Sequence, residues 1–461
     1  MSKNPLLFNF FEKFIIPTLD VLTFMFSFLL ASFIRFKILK IDHLSSPAFL
    51  GMIAITLFAF YILDNYKIEN KVDFVHTGGR VFFATLVSSI FIIILVYLLG
   101  YKRYMGDWFG RGILPMTMFV FTLMASFTRI SIDKIFISYH TNSNWLILDN
   151  IGKTQTFYQD FISIFGKTNL VILTDQINTS SDTSNLPTID YLYNIEKWIN
   201  KKWAAIIVCN KAKIDSKIIK TLMQKRLQGV KVYDLVDFYE NVWFKVPIDY
   251  LEDGWFATSS GFTLIHNNVN LKIKRIFDIV FAILLLIFTF PLIVLTYLLI
   301  KIFDKGPAIY KQKRTGEKET IFTIYKFRTM NIDAEIYGHK WTDLKDSRIT
   351  FIGKLLRITR IDELPQCLNV LKGEMSFIGP RPERPEFNEE LEKDIPYYSL
   401  RTLIKPGITG WAQILYPYGA SKQDALEKLK YDLYYIKNYS LLMDFMILLK
   451  TARIIFFGKG R

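Results

Sequence analysis

Five apolar runs decide what this chain can fold into: Ile15–Ile34, Ala48–Leu63, Val81–Leu99, Ile113–Phe127 and Ile276–Ile300. Crossing a bilayer takes about 20 apolar residues of helix, and each run approaches that length. The first four lie close together and predict a bundle of four membrane helices, an even number that leaves both ends of the bundle on one side. The first run is too long for the core of a cleavable signal peptide, and no small-residue cleavage site follows it. Asp20 sits inside it, either as a proton or substrate group or facing the bundle interior or an interface. Basic residues stand on both sides of the spans, so they do not orient the bundle.

The rest of the chain is too charged to lie in lipid. Lys and Arg number 57 against 42 Asp and Glu, a formal charge of +15, with 51% hydrophobic residues and a mean hydropathy of +0.23. Those values exclude both an ordinary soluble domain and a chain that is mostly transmembrane. A basic excess on an apolar chain points to anionic lipid or a phosphorylated substrate, and away from nucleic acid. Cys209 and Cys367 are far apart and predict reduced thiols, and five dispersed histidines offer no zinc site.

From about His140 the pattern turns to short β-rich runs at Trp145–Leu148, Leu170–Thr174, Ala204–Val208 and Val230–Tyr233. Ser216 through Gln228 reads as a helix capped by Asp215 or Ser216 and stopped at Gly229. Alternating strand and helix predicts a Rossmann-like α/β domain with a parallel sheet. Its first turn has one glycine, Gly152, where a dinucleotide fingerprint needs several. Gly152-Lys153-Thr154 resembles the end of a phosphate-binding loop, but Ile147 stands where the first glycine belongs. The domain therefore reads as a structural or regulatory spacer.

The fifth run follows Lys272, Lys274 and Arg275 and holds Pro291 near its middle, where a proline removes a backbone donor and clashes with the preceding turn. A break there would return the chain to the side it entered from, giving a re-entrant hairpin over 276–300 in place of a kinked span. Beyond it, Ala308–Gln312 and Thr320–Lys326 read as two strands. Lys326 and Arg328, two residues apart, would share a strand face that either binds phosphate or is simply solvated.

Then come Asp362 and Glu363, an adjacent carboxylate pair among arginines that include Arg357. These are the residue types for attacking a phosphoryl group and holding its charge. The same residues also suit a helix start over Leu364–Leu371, with Asp362 or Thr359 as its cap and Pro365 in its first turn. Gly379-Pro380-Arg381-Pro382 is a rigid turn that fixes one arginine for bidentate contact with phosphate. The glycine-rich stretch from Lys405 to Gln413 could close over a ligand. The tail Leu441–Phe457 carries Asp444, Lys450 and Arg453, which suits a helix lying in the membrane interface or packed on the C-terminal domain.

Five motifs in order, Gln312-x-Arg314-x-Gly316, Tyr325-Lys-Phe-Arg328, Asp362-Glu363-Leu-Pro-Gln366, Gly379-Pro-Arg-Pro382 and Lys405-Pro-Gly-Ile-Thr-Gly-Trp411, make the chain resemble the bacterial sugar transferases. These are polyprenyl-phosphate hexose-1-phosphate transferases, and the resemblance covers about Lys272 to Arg461. The upstream spans and middle domain resemble the long form tied to exopolysaccharide, capsule or O-antigen initiation. The domains implied are 1–139 (four-helix membrane bundle), 140–270 (degenerate Rossmann-like domain) and 271–461 (mixed α/β catalytic domain with the re-entrant helix broken at Pro291).

The resemblance implies Asp362 as nucleophile, with Glu363 as the partner carboxylate that assists catalysis or, with Asp362, helps hold Mg²⁺. Arg357 and Arg381 would bind phosphate, with Lys326, Arg328 and Arg314 counted alongside them. It implies a UDP-sugar and undecaprenyl phosphate as substrates, a lipid environment, a homodimer, and an active site facing the cytosol of a bacterial inner membrane. UDP-glucose, UDP-galactose and an N-acetylated sugar all remain open. Two other readings compete with it: an NAD-dependent nucleotide-sugar dehydratase or epimerase, and a non-catalytic scaffold or transporter for glycan export.

Overall fold

The computed structural model describes residues 14–457 apart from 40, 64, 67–73, 100–111, 142–143, 150–156, 159, 162–168, 175–187, 210–214, 252–253, 263–267, 305, 333–345, 347, 417–418 and 420. The chain divides into two compact units, Met1–Val242 and Trp243–Arg461.

The first unit opens with helices α1 (Ile16–Phe36), α2 (Pro47–Ile62), α3 (Phe74–Leu99) and α4 (Ile113–Thr141). Three of the four expected spans are long and apolar enough to cross a membrane: Ile16–Phe36, Thr77–Leu95 and Ile113–Ile135. The second is not. α2 has 16 residues, about 24 Å of helix at the usual rise, against a hydrocarbon core of about 30 Å. Its start is fixed by Ser46, whose hydroxyl accepts the Phe49 N–H just ahead of Pro47.

Phe24, Phe28, Phe49, Phe60 and Phe121 fill the bundle core. Asp20, only 1% exposed, faces that interior. Arg129 on α4 donates to both of its carboxylate oxygens (2.9 and 2.6 Å) and to the Asn65 carbonyl (3.0 Å), and its guanidinium lies 4.9 Å from the Phe60 ring centre. Two charges that would each be costly in lipid thus cancel and join α1 to α4.

The same unit holds a five-stranded sheet of β1 (Asn144–Asp149), β2 (Asn169–Thr174), β3 (Thr188–Tyr191), β4 (Ala205–Val208) and β5 (Lys231–Asp234). All pairings are parallel, in the order β3-β2-β1-β4-β5. Four of these strands are the ones the sequence predicts. The fifth, β3, is four residues long with none fully buried, so it lacks the apolar run that marks the others. Helix α5 (Ser216–Leu227) starts at Asp215, whose side chain accepts the Lys217 N–H, and is followed by Gly229 at φ +91°. Gly152-Lys153-Thr154 lies outside the described residues.

In the second unit, α6 (Asn268–Leu299) runs as helix through Pro291 and continues into a π-type turn at Ile300–Asp304. Val269–Asp304 is the fourth stretch long and apolar enough to cross a membrane. The hairpin β6 (Ile309–Thr315) and β7 (Ile321–Phe327) follows. Next come α7 (Phe351–Thr359), a 3-10 turn (Ile361–Gln366), α8 (Cys367–Lys372), β8 (Ser376–Ile378) and α9 (Pro385–Asp394). The chain ends with β9 (Gly407–Thr409), parallel to β8, and helices α10 (Trp411–Leu415), α11 (Lys422–Lys437) and α12 (Leu441–Phe457).

One core, including Ala282, Phe322, Cys367, Phe377, Leu433 and Ile447, ties these elements together. α12 packs inward through Asp444, which accepts from Lys274 (2.8 Å) and the Tyr435 hydroxyl (2.6 Å), while Leu442 and Phe445 stay exposed.

This unit begins about 28 residues before the boundary expected at 270/271. Val246 and Ile248 are buried in its core, and the Val246 and Phe262 amides donate to the Lys430 and Lys437 carbonyls (both 2.9 Å). The Trp411 indole donates to the Phe244 carbonyl (3.0 Å). The segment has neither helical nor strand periodicity, so only its partners reveal where it belongs. A fragment starting at Trp243 should therefore fold, whereas one starting at residue 269 loses the burial of Val246 and Ile248, about 3–6 kcal/mol. Thermal denaturation of the two should differ by roughly 6–24 °C; equal melting temperatures would contradict this role for residues 243–262, the strap of the second unit.

Candidate active site

The carboxylate pair is set by how α7 ends. Thr350 caps the helix start by accepting the Gly353 N–H, and Arg360 stops the helix in the left-handed region at φ 58°. That reversal carries the chain into the 3-10 turn, whose first turn holds Asp362 and Glu363. No side chain caps the turn, and the Thr359 hydroxyl instead donates back to the Leu355 carbonyl. The helix-cap reading of Asp362 and Thr359 is therefore removed. Both carboxylates are 7% exposed.

Three cations converge on one oxygen of Glu363. Its Oε1 lies 3.1 Å from Lys326 Nζ, 2.9 Å from Arg381 Nη2 and 3.5 Å from Arg360 Nη1. Burial alone would raise the Glu363 carboxyl, but Lys326, Arg381 and Arg360 outweigh it and hold the group well below the usual carboxylate range. Burial also lowers the Lys326 ammonium to about 8; Glu363 and Asp362 pull it up, and Arg381 pushes it further down. Three cations against two carboxylates leave one positive charge in a shielded place, which suits an anionic ligand.

Arg381 is held from behind. Its carbonyl accepts from Arg401 Nη2 (2.9 Å), and Arg401 is itself buried against Asp432 (3.0 Å). Burial raises the Asp432 carboxyl to about 6, with Arg401 opposing it. Backbone bonds complete the support: Gly379 N–H to the Thr409 carbonyl and Gly407 N–H to the Pro380 carbonyl, both 2.9 Å. A Cβ on Gly407 would lie 2.1 Å from the Gly379 nitrogen, and one on Gly410 would lie 2.2 Å from the Gly379 oxygen. The glycine-rich stretch is thus a close backbone seam under the Arg381 turn, not a loop free to close over a ligand.

Of the residues expected in the site, the structure brings Glu363, Lys326 and Arg381 into direct contact, with Asp362 beside them. Arg314 stands behind Arg381, donating to the Pro382 carbonyl (3.1 Å) and the Gln312 side chain. Arg357 donates from Nε to the Thr329 hydroxyl (2.8 Å). Arg328 follows Phe327, the last residue of β7; its N–H still donates to the Ala308 carbonyl (2.8 Å), and its side chain is buried with Nη2 on the Asp304 carbonyl (3.0 Å) just after α6. Lys326 is partly buried and Arg328 buried, so neither stands on a fully solvated face. Sequence reading missed Arg360, which its spacing of three from Glu363 could have flagged, and Arg401, which no local pattern marks.

A model of the bacterial sugar transferase family matches residues 269–458. An uncharacterized sugar transferase of Bacillus subtilis (strain 168) is 38% identical over 192 residues, 41% of this chain and 89% of that protein. The chain belongs to the bacterial sugar transferase family. It is also 40% identical over 234 residues, 51% of this chain, to a UDP-N-acetylgalactosamine-undecaprenyl-phosphate N-acetylgalactosaminephosphotransferase of Aeromonas hydrophila. A UDP-glucose:undecaprenyl-phosphate glucose-1-phosphate transferase of Escherichia coli (strain K12) is 39% identical over 190 residues, 40% of this chain. The matched regions span 54% and 40% of those two relatives.

The seam carries a direct expectation for this family member. Gly407→Ala should destabilise the second unit by about 3 kcal/mol through overpacking, lowering both its melting temperature and the yield of folded protein. A variant that melts with the parent would show that the backbone can open there at no cost.

Proposed function

We propose that this chain transfers a hexose-1-phosphate from a UDP-sugar to undecaprenyl phosphate, releasing UMP and initiating assembly of a bacterial surface glycan. The observation that carries this reading is the buried Asp362–Glu363 pair, uncapped and set among Lys326, Arg360 and Arg381. The names of the relatives support the substrate classes.

An Asp362 carboxylate oxygen attacks the phosphorus that bears the sugar. The bond from that phosphorus to the bridging oxygen breaks, and UMP leaves with the electron pair. An oxygen of the lipid phosphate then attacks the same phosphorus and expels the Asp362 carboxylate, leaving a lipid diphosphate sugar. Arg381, Lys326 and Arg360 steady the anionic oxygens, while Glu363 keeps these cations together.

Mg²⁺ typically binds through one or two carboxylates and completes its shell with phosphates and water. Adjacent Asp362 and Glu363 fit that chemistry. Among the described residues no three acidic, His or Cys side chains gather as a metal cage, so substrate phosphates would supply the remaining oxygens. When bound, the ion would neutralise charge on those phosphates.

Two features support a site at the membrane surface. α6 is tied to the second unit at both ends: Arg275 donates to the Val370 and Leu371 carbonyls, Asp278 accepts from Ser376 and Phe377, and Asp304 bonds Arg328 and Thr350. A straight helix would carry Asp304 about 39 Å from Asp278, more than the hydrocarbon core, so anchoring of both ends on one body supports re-entry, with α6 running as helix through Pro291. α7, which leads into the dyad, exposes Phe351 (91%), Leu355 and Ile358 along one face. We place this surface at the cytosolic face of the inner membrane, where UDP-sugars are found. For the middle domain, the β3-β2-β1-β4-β5 order supports a Rossmann-like origin.

Membranes holding the protein should release UMP from a UDP-sugar when given undecaprenyl phosphate and Mg²⁺. Asp362→Asn should lower that rate by at least about 10³-fold; full activity in this variant would sink the nucleophile assignment.

The Lys326 charge sets a second expectation. It is present below a pH of about 8 and lost above it, so UMP release should fall on an alkaline limb near that value. Lys326→Arg should move the limb upward, and an unchanged limb would exclude Lys326 as its source. The folded value lies below the unfolded 10.5. This one group therefore makes the fold more stable, not less, as pH rises from about 8 to 10.5.

A further inference from the structure

Two carboxamides stand one turn apart just after the dyad, and the fold uses only one of them. Asn369 on α8 is 0% exposed, and both ends of its side chain are engaged. Its Oδ1 accepts the Tyr325 N–H (3.2 Å), and its Nδ2 donates to the Thr323 carbonyl and to Glu374 Oε2 (both 2.7 Å). It ties β7 to α8 and to the turn that follows. Gln366, three residues earlier, is 2% exposed, yet its Nε2 is buried with no hydrogen-bond partner among the described residues. Folded proteins seldom bury an amide donor unmet, and a catalytic role is one of the few reasons to retain one.

The position of Gln366 suggests what would meet it. In a 3-10 turn, residues three apart eclipse, which sets Gln366 in register with Glu363, the residue that gathers the cations, within the Ile361–Gln366 turn. A neutral N–H donor there adds no charge to the cluster. It supplies a directed hydrogen bond where anionic oxygens gather, as preorganised donors do at developing charge.

Resting on the phosphoryl transfer set out above, we propose that the Gln366 carboxamide is a further catalytic residue. It donates a hydrogen bond to a non-bridging oxygen of the phosphoryl group as that group passes to and from Asp362. Gln366 neither gains nor loses a proton, and the bonds made and broken stay those already given. Among the described residues no protein group meets this donor, whereas in the transition state the phosphoryl oxygen meets it. That difference favours the transition state over the resting enzyme.

The test is Gln366→Met in the full chain, a change of similar volume that removes the donors. Since no protein group loses a partner, the melting temperature should stay level or rise. UMP release, assayed with Mg²⁺, undecaprenyl phosphate and UDP-glucose, UDP-galactose or UDP-N-acetylgalactosamine, should drop about 10²-fold in kcat. KM for the UDP-sugar should change by less than about threefold, because the bond is strongest in the transition state. Gln366→Glu, similar in size but acidic, should lose at least as much.

If Gln366→Met turns over within about threefold of the parent, the carboxamide has no part in the chemistry and the inference falls. A melting temperature that drops in step with activity makes Gln366 structural, which also overturns it. A parent protein that releases no UMP from any of the three sugars overturns the reaction and this inference together. An active parent with an equally active variant overturns the inference alone.

Discussion

One oxygen, Glu363 Oε1, holds three cations that arrive from three different parts of the chain. Lys326 comes from β7, Arg360 from the end of α7, and Arg381 from the turn between its two prolines. One carboxylate cannot neutralise three cations, so without further support the cluster would spread apart into solvent. Much of the second unit supplies that support. Arg401 and Asp432 pin the backbone of Arg381, Asn369 stitches β7 to α8, the helix that follows the dyad's turn, and the Gly379–Gly407 seam removes slack from the arginine turn. Burying an excess of positive charge opposes folding. The same excess suits an anionic ligand.

The membrane elements follow a similar logic at a larger scale. Apolar surface fixes where they lie, and a few buried polar contacts fix what they join. Asp20 and Arg129 cancel inside the bundle, and Lys274 joins α6 to α12 through Asp444 and Tyr435. α6 shows why both kinds are needed. Its middle, with Ile287, Phe288 and Phe290 exposed, offers only grease, whereas Arg275 and Asp278 near one end and Asp304 at the other set its address on the second unit.

Much of this was legible in the residues because the signals were local. β1, β2, β4, β5, α5 and the β6–β7 hairpin follow from apolar runs bounded by polar turns. Glu363, Lys326 and Arg381 follow from residue type and motif order. What could not be read depended on partners distant in sequence. β3 is a strand because β2 offers it an edge, not because Thr-Ile-Asp-Tyr demands one. The strap at 243–262 belongs to the second unit because the Lys430 and Lys437 carbonyls take its amides. Arg328 is buried because the Asp304 carbonyl, 24 residues earlier in the chain, takes its guanidinium. Whether Asp362 caps a helix was undecidable from sequence, since catalysis and capping use the same residue type; the left-handed Arg360 and the uncapped turn after it remove the cap.

Glycine and proline taught the opposite lesson. In sequence, Gly379-Pro-Arg-Pro382 and the stretch from Lys405 to Gln413 look like a fixed arm and a movable cover. In the fold, the second is the bed on which the first lies, because only residues without a Cβ let the two backbones come so near. Arg381 therefore sits in place before any substrate arrives. For phosphoryl transfer this matters more than mobility would, because catalysis there is mostly positioning and charge stabilisation. In the transfer proposed above, a donor dissolved in water and an acceptor held in lipid would use the same phosphorus in turn. A nucleophile on a rigid turn would relay the group between them without having to move itself.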